Sequence, residues 1–173
     1  MLVAILVVIG FAIDRVTKIL TSLYLKPIGT FELIPNVFSF TYVENRGAAW
    51  GIFQGQRWPL IVFTIVVCAF LIWFIIKNYS KATILFKISM GLILAGAFGN
   101  MFDRAVYGYV VDMLHATFIE YPVFNGADCM LVIGVILLGI YMLFFDKVFF
   151  QDKKKPEKPQ KNVEDGGENC EEK

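Results

Sequence analysis

Uncharged apolar runs dominate the chain up to about position 146, with most polar residues between them. A membrane helix needs about 20 mostly apolar residues. Trp58 to Ile76 (WPLIVFTIVVCAFLIWFII) carries no charge, and Pro59 suits a first helical turn. Cys129 to Phe145 (CMLVIGVILLGIYMLFF) is bounded by Asp128 and Asp146. Ile84 to Met101 is a third run, with Lys87 near one end and Asn100 near the other. The first run, Leu2 to Ile13, is only twelve residues and too short to span. Continuing it to Leu25 gives the length and places Asp14, Arg15 and Lys18 inside or at the rim of the bilayer. The pattern predicts four spans, at about 2–25, 58–76, 84–102 and 128–146.

A cleavable signal peptide at Met1 to Ile13 is disfavoured. The segment lacks a positive start, and charges follow where a small-residue cleavage site belongs. Four spans put both termini on one side. Lys77, Lys81 and Lys87 flank the loop between spans two and three, and Lys147, Lys153, Lys154, Lys155, Lys158 and Lys161 follow span four. Positive residues favour the cytoplasm, so both termini are expected there. Two longer segments, about 26–57 and 103–127, are expected outside; Arg15, Arg46, Arg57 and Arg104 fall at or near that side, against the rule.

In NVFSFTYVEN, Phe38, Phe40 and Tyr42 share one face and Ser39, Thr41 and Val43 the other. That alternation predicts a strand in a small sheet on the outer membrane surface; a plain loop with aromatic interfacial anchors is the alternative. The tail at 151–173 is polar, with Pro, Gly and both charge signs, and is expected to be disordered, its lysines against anionic lipid.

Composition narrows the function. The chain has 173 residues, 57% hydrophobic and 18% charged, with mean hydropathy +0.64. Soluble domains are about 45–50% apolar and about 25% charged, which argues strongly against a soluble enzyme. One histidine argues against His-rich metal sites and Ser-His-Asp chemistry. Cys68, Cys129 and Cys170 form no CxxC pair. Net charge is +1, which gives no basic surface for nucleic acid. One domain is expected over 1–150, followed by the tail.

An ionisable residue at bilayer depth costs about 3 kcal/mol on insertion scales and is functional by default. Here they gather toward one leaflet. Asp14 and Lys18 share a helix face; Asn100, Asp103 and Arg104 close span three; Asp112 follows; Asn125 and Asp128 open span four. The chain leaves and re-enters on the same side between spans three and four, which holds Asp112 and Asp128 at similar depth. Two carboxylates about 4 Å apart at an effective dielectric near 20 repel by about 4 kcal/mol, enough to make them share one proton. That is aspartic-protease chemistry: the carboxylate activates water and the acid protonates the carbonyl or leaving amine.

Plainer readings stand beside this one. Asp128 also fits a first-turn helix acid, Asp112 a loop acid, and Asp14 with Lys18 a structural pair. Asp103 and Arg104 fit pairing with each other or with lipid headgroups. His115 has no partner visible in the sequence. GAFGN (96–100) suits close helix packing, and Cys129 beside an acid is expected to be inert.

DRVTK (14–18), NRGAAWGIF (45–53), GAFGNMFDR (96–104), VVD (110–112) and FNGAD (124–128) stand in the order and spacing of lipoprotein signal peptidase, the type II signal peptidase of bacteria. Residues 1–146 resemble that family. The resemblance implies an all-α membrane protein: four transmembrane helices, a small extracytoplasmic β-cradle at about 29–57, and a short extracytoplasmic helix at roughly 113–124. It implies an intramembrane aspartic endopeptidase that removes signal peptides from prolipoproteins, cutting immediately before the cysteine that already bears diacylglycerol. By the same resemblance Asp112 and Asp128 are the catalytic dyad. Asn45, Asn100, Arg104 and Asn125 line the site and hold substrate backbone or the dyad, and Asp14 and Lys18 are polar support on the first helix. It implies no metal and no cofactor. The implied partners are diacylglyceryl-modified prolipoprotein and membrane lipid, with no nucleic acid, for a monomer in the bacterial cytoplasmic membrane whose active site lies near the outer leaflet. Gly126 stands where the family commonly has a larger apolar residue, which loosens the approach to Asp128.

Two other classes remain open at this point. A transporter using Asp14, Asp112 and Asp128 as a proton relay predicts polar groups at several depths, whereas these cluster at one leaflet. A membrane adaptor acting through the tail predicts loss of function on deleting 151–173.

Overall fold

The computed structural model describes residues 1–48, 52–80 and 82–144. The tail expected at 151–173 and the last two positions of the fourth expected span lie outside these residues.

The first helix, α1 (Leu2–Leu20), runs on through a π-helical turn at Thr21–Leu25 and stops before Pro27, whose ring and missing N–H do not fit a continuing helix. Strands β1 (Thr30–Ile34) and β2 (Phe38–Asn45) follow, then α2 (Arg57–Asn78), α3 (Ile84–Val106), β3 (Val110–Ala116) and α4 (Gly126–Phe144). Helices α2, α3 and α4 are long and apolar enough to cross a membrane. Helix α1 is 19 residues long but carries Asp14, Arg15 and Lys18. The third helix reaches a turn beyond its predicted end, so Asp103 and Arg104 are helical residues.

Helix α3 is the centre of the bundle: 56% of its most apolar stretch is buried, against 17% for α2 and for α4. The other helices pack around it and turn outward a belt of exposed apolar side chains such as Val62, Phe63, Val66, Phe70, Val132 and Ile136, the surface a bilayer solvates. Close approach of α4 depends on Gly96, where a Cβ would stand 2.3 Å from the Ala127 carbonyl oxygen. The Thr83 hydroxyl caps the start of α3 by accepting from the Phe86 N–H at 3.3 Å. Gly108, at φ 82°, ends the helix and turns the chain into β3.

The sheet has the order β1-β2-β3, antiparallel throughout. The strand predicted within 36–45 is present at Phe38–Asn45, and the sheet also takes in Val110–Ala116. The short helix expected at 113–124 is therefore not found: the chain is strand to Ala116 and turns over 117–120. The reason is where its backbone groups go. One edge of β3 pairs with β2, while on the other the Met113 and Leu114 N–H groups donate to the Phe124 carbonyl (3.0 and 2.8 Å) and Phe124 N–H donates back to Leu114 (2.9 Å). Val111 and Met113 bury against Leu25, so the π-helical turn braces the strand that carries Asp112.

Candidate active site

Helix α4 begins with a reciprocal cap. The Asn125 side-chain oxygen accepts from the Asp128 N–H, and the Asp128 carboxylate accepts from the Asn125 N–H, both at 3.1 Å. This is the capping-box arrangement with an aspartate in the third helical position. It fixes one oxygen of Asp128; the other accepts from Asn100 Nδ2 at 2.7 Å. The cap also leaves the Asn125 amide nitrogen free to reach the sheet, where it donates to Asp112 at 2.6 Å.

Asp112 sits in β3 opposite Val43, 2% exposed. Its second oxygen accepts from Asn45 Nδ2 at 2.9 Å, and Asn45 is itself held by the Gly47 N–H. Each of the four carboxylate oxygens of Asp112 and Asp128 thus has one amide donor. Amides donate without carrying charge, so they orient the pair without supplying it a proton. Burial pushes the Asp112 carboxyl up to about 6, and the neighbouring Asp128 charge adds to that, against the hydrogen bonds from Asn125 and Asn45 and the positive charge of Lys18.

Behind the pair lies a buried ionic cluster. Lys18 Nζ is 3.1 Å from Asp14 and 2.8 Å from Asp103, Arg15 is 2.6 Å from Asp14, and Arg15 also bonds Asp103. Two acids and two bases cancel, which is the condition for holding four charges out of water. Lys18 also donates to the Asn100 side-chain oxygen at 3.0 Å, and Asn125 shares that oxygen at 3.2 Å. With its oxygen so occupied, Asn100 must present its nitrogen to Asp128.

Arg104 makes no ion pair among the described residues. Its guanidinium donates to the Gly47 carbonyl at 2.8 Å and to the Asn100 carbonyl at 3.4 Å, and its Nε is buried without a partner. With the cluster neutral, Arg104 is the positive charge left over beside the two carboxylates. A cavity of about 220 Å³ opens on this group, bounded by Asn45, Asn100, Arg104 and Asn125 and rimmed by Leu131 and Val132 of α4.

All eight residues singled out from the sequence therefore belong to one connected network, six around the carboxylates and Asp14 with Lys18 behind. Arg15 and Asp103, which the family resemblance does not name as site residues, belong to it as well. Asp103 pairs across to α1, not with its neighbour Arg104. A signal was present in the sequence: Arg15 adjoins the Asp14–Lys18 pair, and Asp103 stands one helical turn from Asn100. His115 has partners after all, the hydroxyls of Thr41 at 3.3 Å and Ser39 at 3.5 Å.

Residues 6–144 match the family model of signal peptidase (SPase) II. The chain belongs to the signal peptidase II family. It is thus a protease of the lipoprotein-processing class and a bacterial membrane protein. It is 42% identical over 143 residues to the lipoprotein signal peptidase of Clostridium acetobutylicum, covering 81% of this chain and 92% of that one. It is 40% identical to that of Enterococcus faecalis, over 82% of this chain and 87% of the relative. A solved bacterial membrane enzyme superposes with a TM-score of 0.75 at 35% identity, over 90% of this chain and 94% of its own. A second such structure gives 0.73 at 36% identity, over 83% and 94%.

Proposed function

We propose that this member of the family is an intramembrane aspartic endopeptidase. On this reading it removes signal peptides from diacylglyceryl-modified prolipoproteins, cutting immediately before the lipid-modified cysteine. The observation that carries the reading is the single residue Asn125, whose side chain holds Asp112 while its backbone holds Asp128.

Asp112 and Asp128 share one proton. The ionised member takes a proton from water as it adds to the scissile carbonyl, and the protonated member gives its proton to the carbonyl oxygen. Collapse of the tetrahedral intermediate returns a proton to the leaving amine. Arg104 balances the single negative charge of the half-protonated pair, so the site is neutral overall before substrate arrives. Lys18, through Asn100, keeps the amide facing Asp128 in one orientation.

In this reading α1 crosses the membrane with α2, α3 and α4, its charges matched inside the bundle rather than exposed to lipid. The lysines flanking the loop between α2 and α3 put that loop and both termini in the cytoplasm, so the dyad lies near the outer leaflet. There a lipid-anchored substrate reaches the cavity by lateral diffusion, with Leu131 and Val132 at the apolar rim. The sheet covers the peptide, and the chain acts as a monomer. The cut position is tested by mass spectrometry of the product. The expected mature protein begins at the lipid-modified cysteine, and a product beginning elsewhere contradicts the proposal.

A further inference from the structure

Away from the carboxylate cavity lie two neighbouring voids. One is a polar cavity of about 260 Å³ between the C-terminal turns of α1, the end of α3 and the sheet, lined among others by Arg15, Lys18, Ser22, Lys26, Tyr107 and Tyr109. The other is an open groove of about 550 Å³ along α1, α2 and α3, with walls that are apolar throughout, including Phe11, Ala12, Ile61, Met101, Phe102 and Ala105. Neither shares a lining residue with the carboxylate cavity.

Arg15, which lines the cavity, is also the neighbour of the groove's walls. Its guanidinium carbon lies 4.9 Å from the ring centre of Phe102 and 5.5 Å from that of Phe11, both groove walls. Tyr107, from the cavity, packs edge-on against the same Phe102 at 6.4 Å. Along α3 the groove runs from Phe98 to Ala105, about 10 Å at 1.5 Å per residue, the length of a substantial part of an acyl chain.

Charge separates the two halves. Asp14, Arg15, Lys18 and Asp103 cancel. Lys26 is 2.9 Å from Glu44, and Arg46 is 3.6 Å from the same Glu44 while lying over the Tyr109 ring at 5.7 Å. Two bases against one acid leave one positive charge beside the cavity. The hydroxyls of Ser22, Tyr107 and Tyr109 have no hydrogen-bond partner among the described residues. A polar cavity with three unpartnered hydroxyls in its lining and one spare positive charge beside it, next to an apolar trough, complements a phosphodiester with a hydrocarbon chain attached.

We propose that this slot holds one anionic phospholipid of the surrounding membrane, its phosphodiester at Lys26, Tyr107 and Tyr109 and one acyl chain in the groove. The lipid of a substrate is a different group. It is bonded to the residue beside the cut and so belongs at the carboxylate cavity.

Native mass spectrometry of the full chain, stripped of lipid in detergent and titrated with defined lipids, tests this. One phosphatidylglycerol is retained per chain, and diacylglycerol, with the same chains and no phosphate, binds at least about tenfold more weakly. Soluble glycerol phosphate, which has no chain for the groove, is not retained. Lys26 is half exposed and Ala105 exposed, so variants at both fold. Lys26→Gln with Tyr109→Phe lowers phosphatidylglycerol retention about tenfold, toward that of diacylglycerol, and Ala105→Leu weakens both lipids alike. Asp128→Asn keeps full retention, so a failed peptidase assignment leaves this result standing. Equal retention of phosphatidylglycerol and diacylglycerol, retention of glycerol phosphate alone, or indifference to both sets of substitutions overturns the proposal.

Discussion

Asn125 touches both carboxylates at once: its side-chain nitrogen is 2.6 Å from Asp112 and its backbone nitrogen 3.1 Å from Asp128. The same side chain starts α4 through its oxygen, so capping the helix and placing the two carboxylates together are one structural event. The capping role of Asp128 and the catalytic role proposed for it are therefore compatible.

Substitutions at Asn125 separate the two roles. Asn125→Ala removes the cap and strands Asp112, with a loss of about 1–3 kcal/mol in stability and at least about 100-fold in kcat/KM, the scale of a small misplacement of reacting groups. Asn125→Ser restores a good cap without the reach to Asp112. Thermal melting in detergent should recover with serine while activity stays low; joint recovery contradicts the bridging role.

Lys18 is predicted to matter first for charge. Lys18→Met leaves two buried acids against one base and should cost about 3–5 kcal/mol. Adding Asp14→Asn restores neutrality, so the double variant should melt well above the single one. Activity should not follow, because Asn100 has still lost the donor that orients it. A double variant as unstable as the single one contradicts the charge account.

The pH profile follows from Asp112, which stands in β3 outside the helices. Its carboxyl is pushed up to about 6 by burial and by Asp128, so it holds a proton further into the neutral range than an exposed aspartate. The half-protonated pair is lost as pH rises, and kcat/KM should fall on the alkaline side with an apparent value belonging to the pair. The Asn45 hydrogen bond lowers the Asp112 pKa; removing it with Asn45→Ala raises that pKa, so the alkaline limb should move to higher pH. A limb that stays or moves down contradicts the assignment.

Of two glycines, one should tolerate a side chain and the other should not. At Gly96 a Cβ would meet the Ala127 carbonyl oxygen at 2.3 Å and the Leu131 nitrogen at 3.1 Å, so Gly96→Ala must push α4 away from α3. Overpacking of this kind costs about 1–3 kcal/mol, and Asp128 moves with the helix. At Gly126 a Cβ would meet nothing within 4 Å, and Gly126→Ala should melt and turn over like the parent. Melting curves and initial rates for the two variants check this directly.

Most of the helical frame is legible in the sequence because apolar runs of span length have few alternative folds. That Asp112 and Asp128 share a side follows from counting spans. What local pattern cannot show is pairing at a distance. Val110–Ala116 becomes strand only because Phe38–Asn45 and Phe124 are there to accept it, and Arg15 finds Asp103 across 88 positions. The cap at Asn125 and Asp128 is different: its N-x-x-D spacing is visible in FNGAD and gives a mechanical reason for the two residues to stand together.

The central claim is that Asp112 and Asp128 together cut a lipidated substrate. The most direct measurement compares purified parent, Asp112→Asn and Asp128→Asn on a diacylglyceryl-modified prolipoprotein and on its unlipidated form. The account predicts cleavage of the lipidated substrate by the parent alone, with both variants folded and inactive. Substantial activity in either folded variant, or equal cleavage of the unlipidated form, would contradict it.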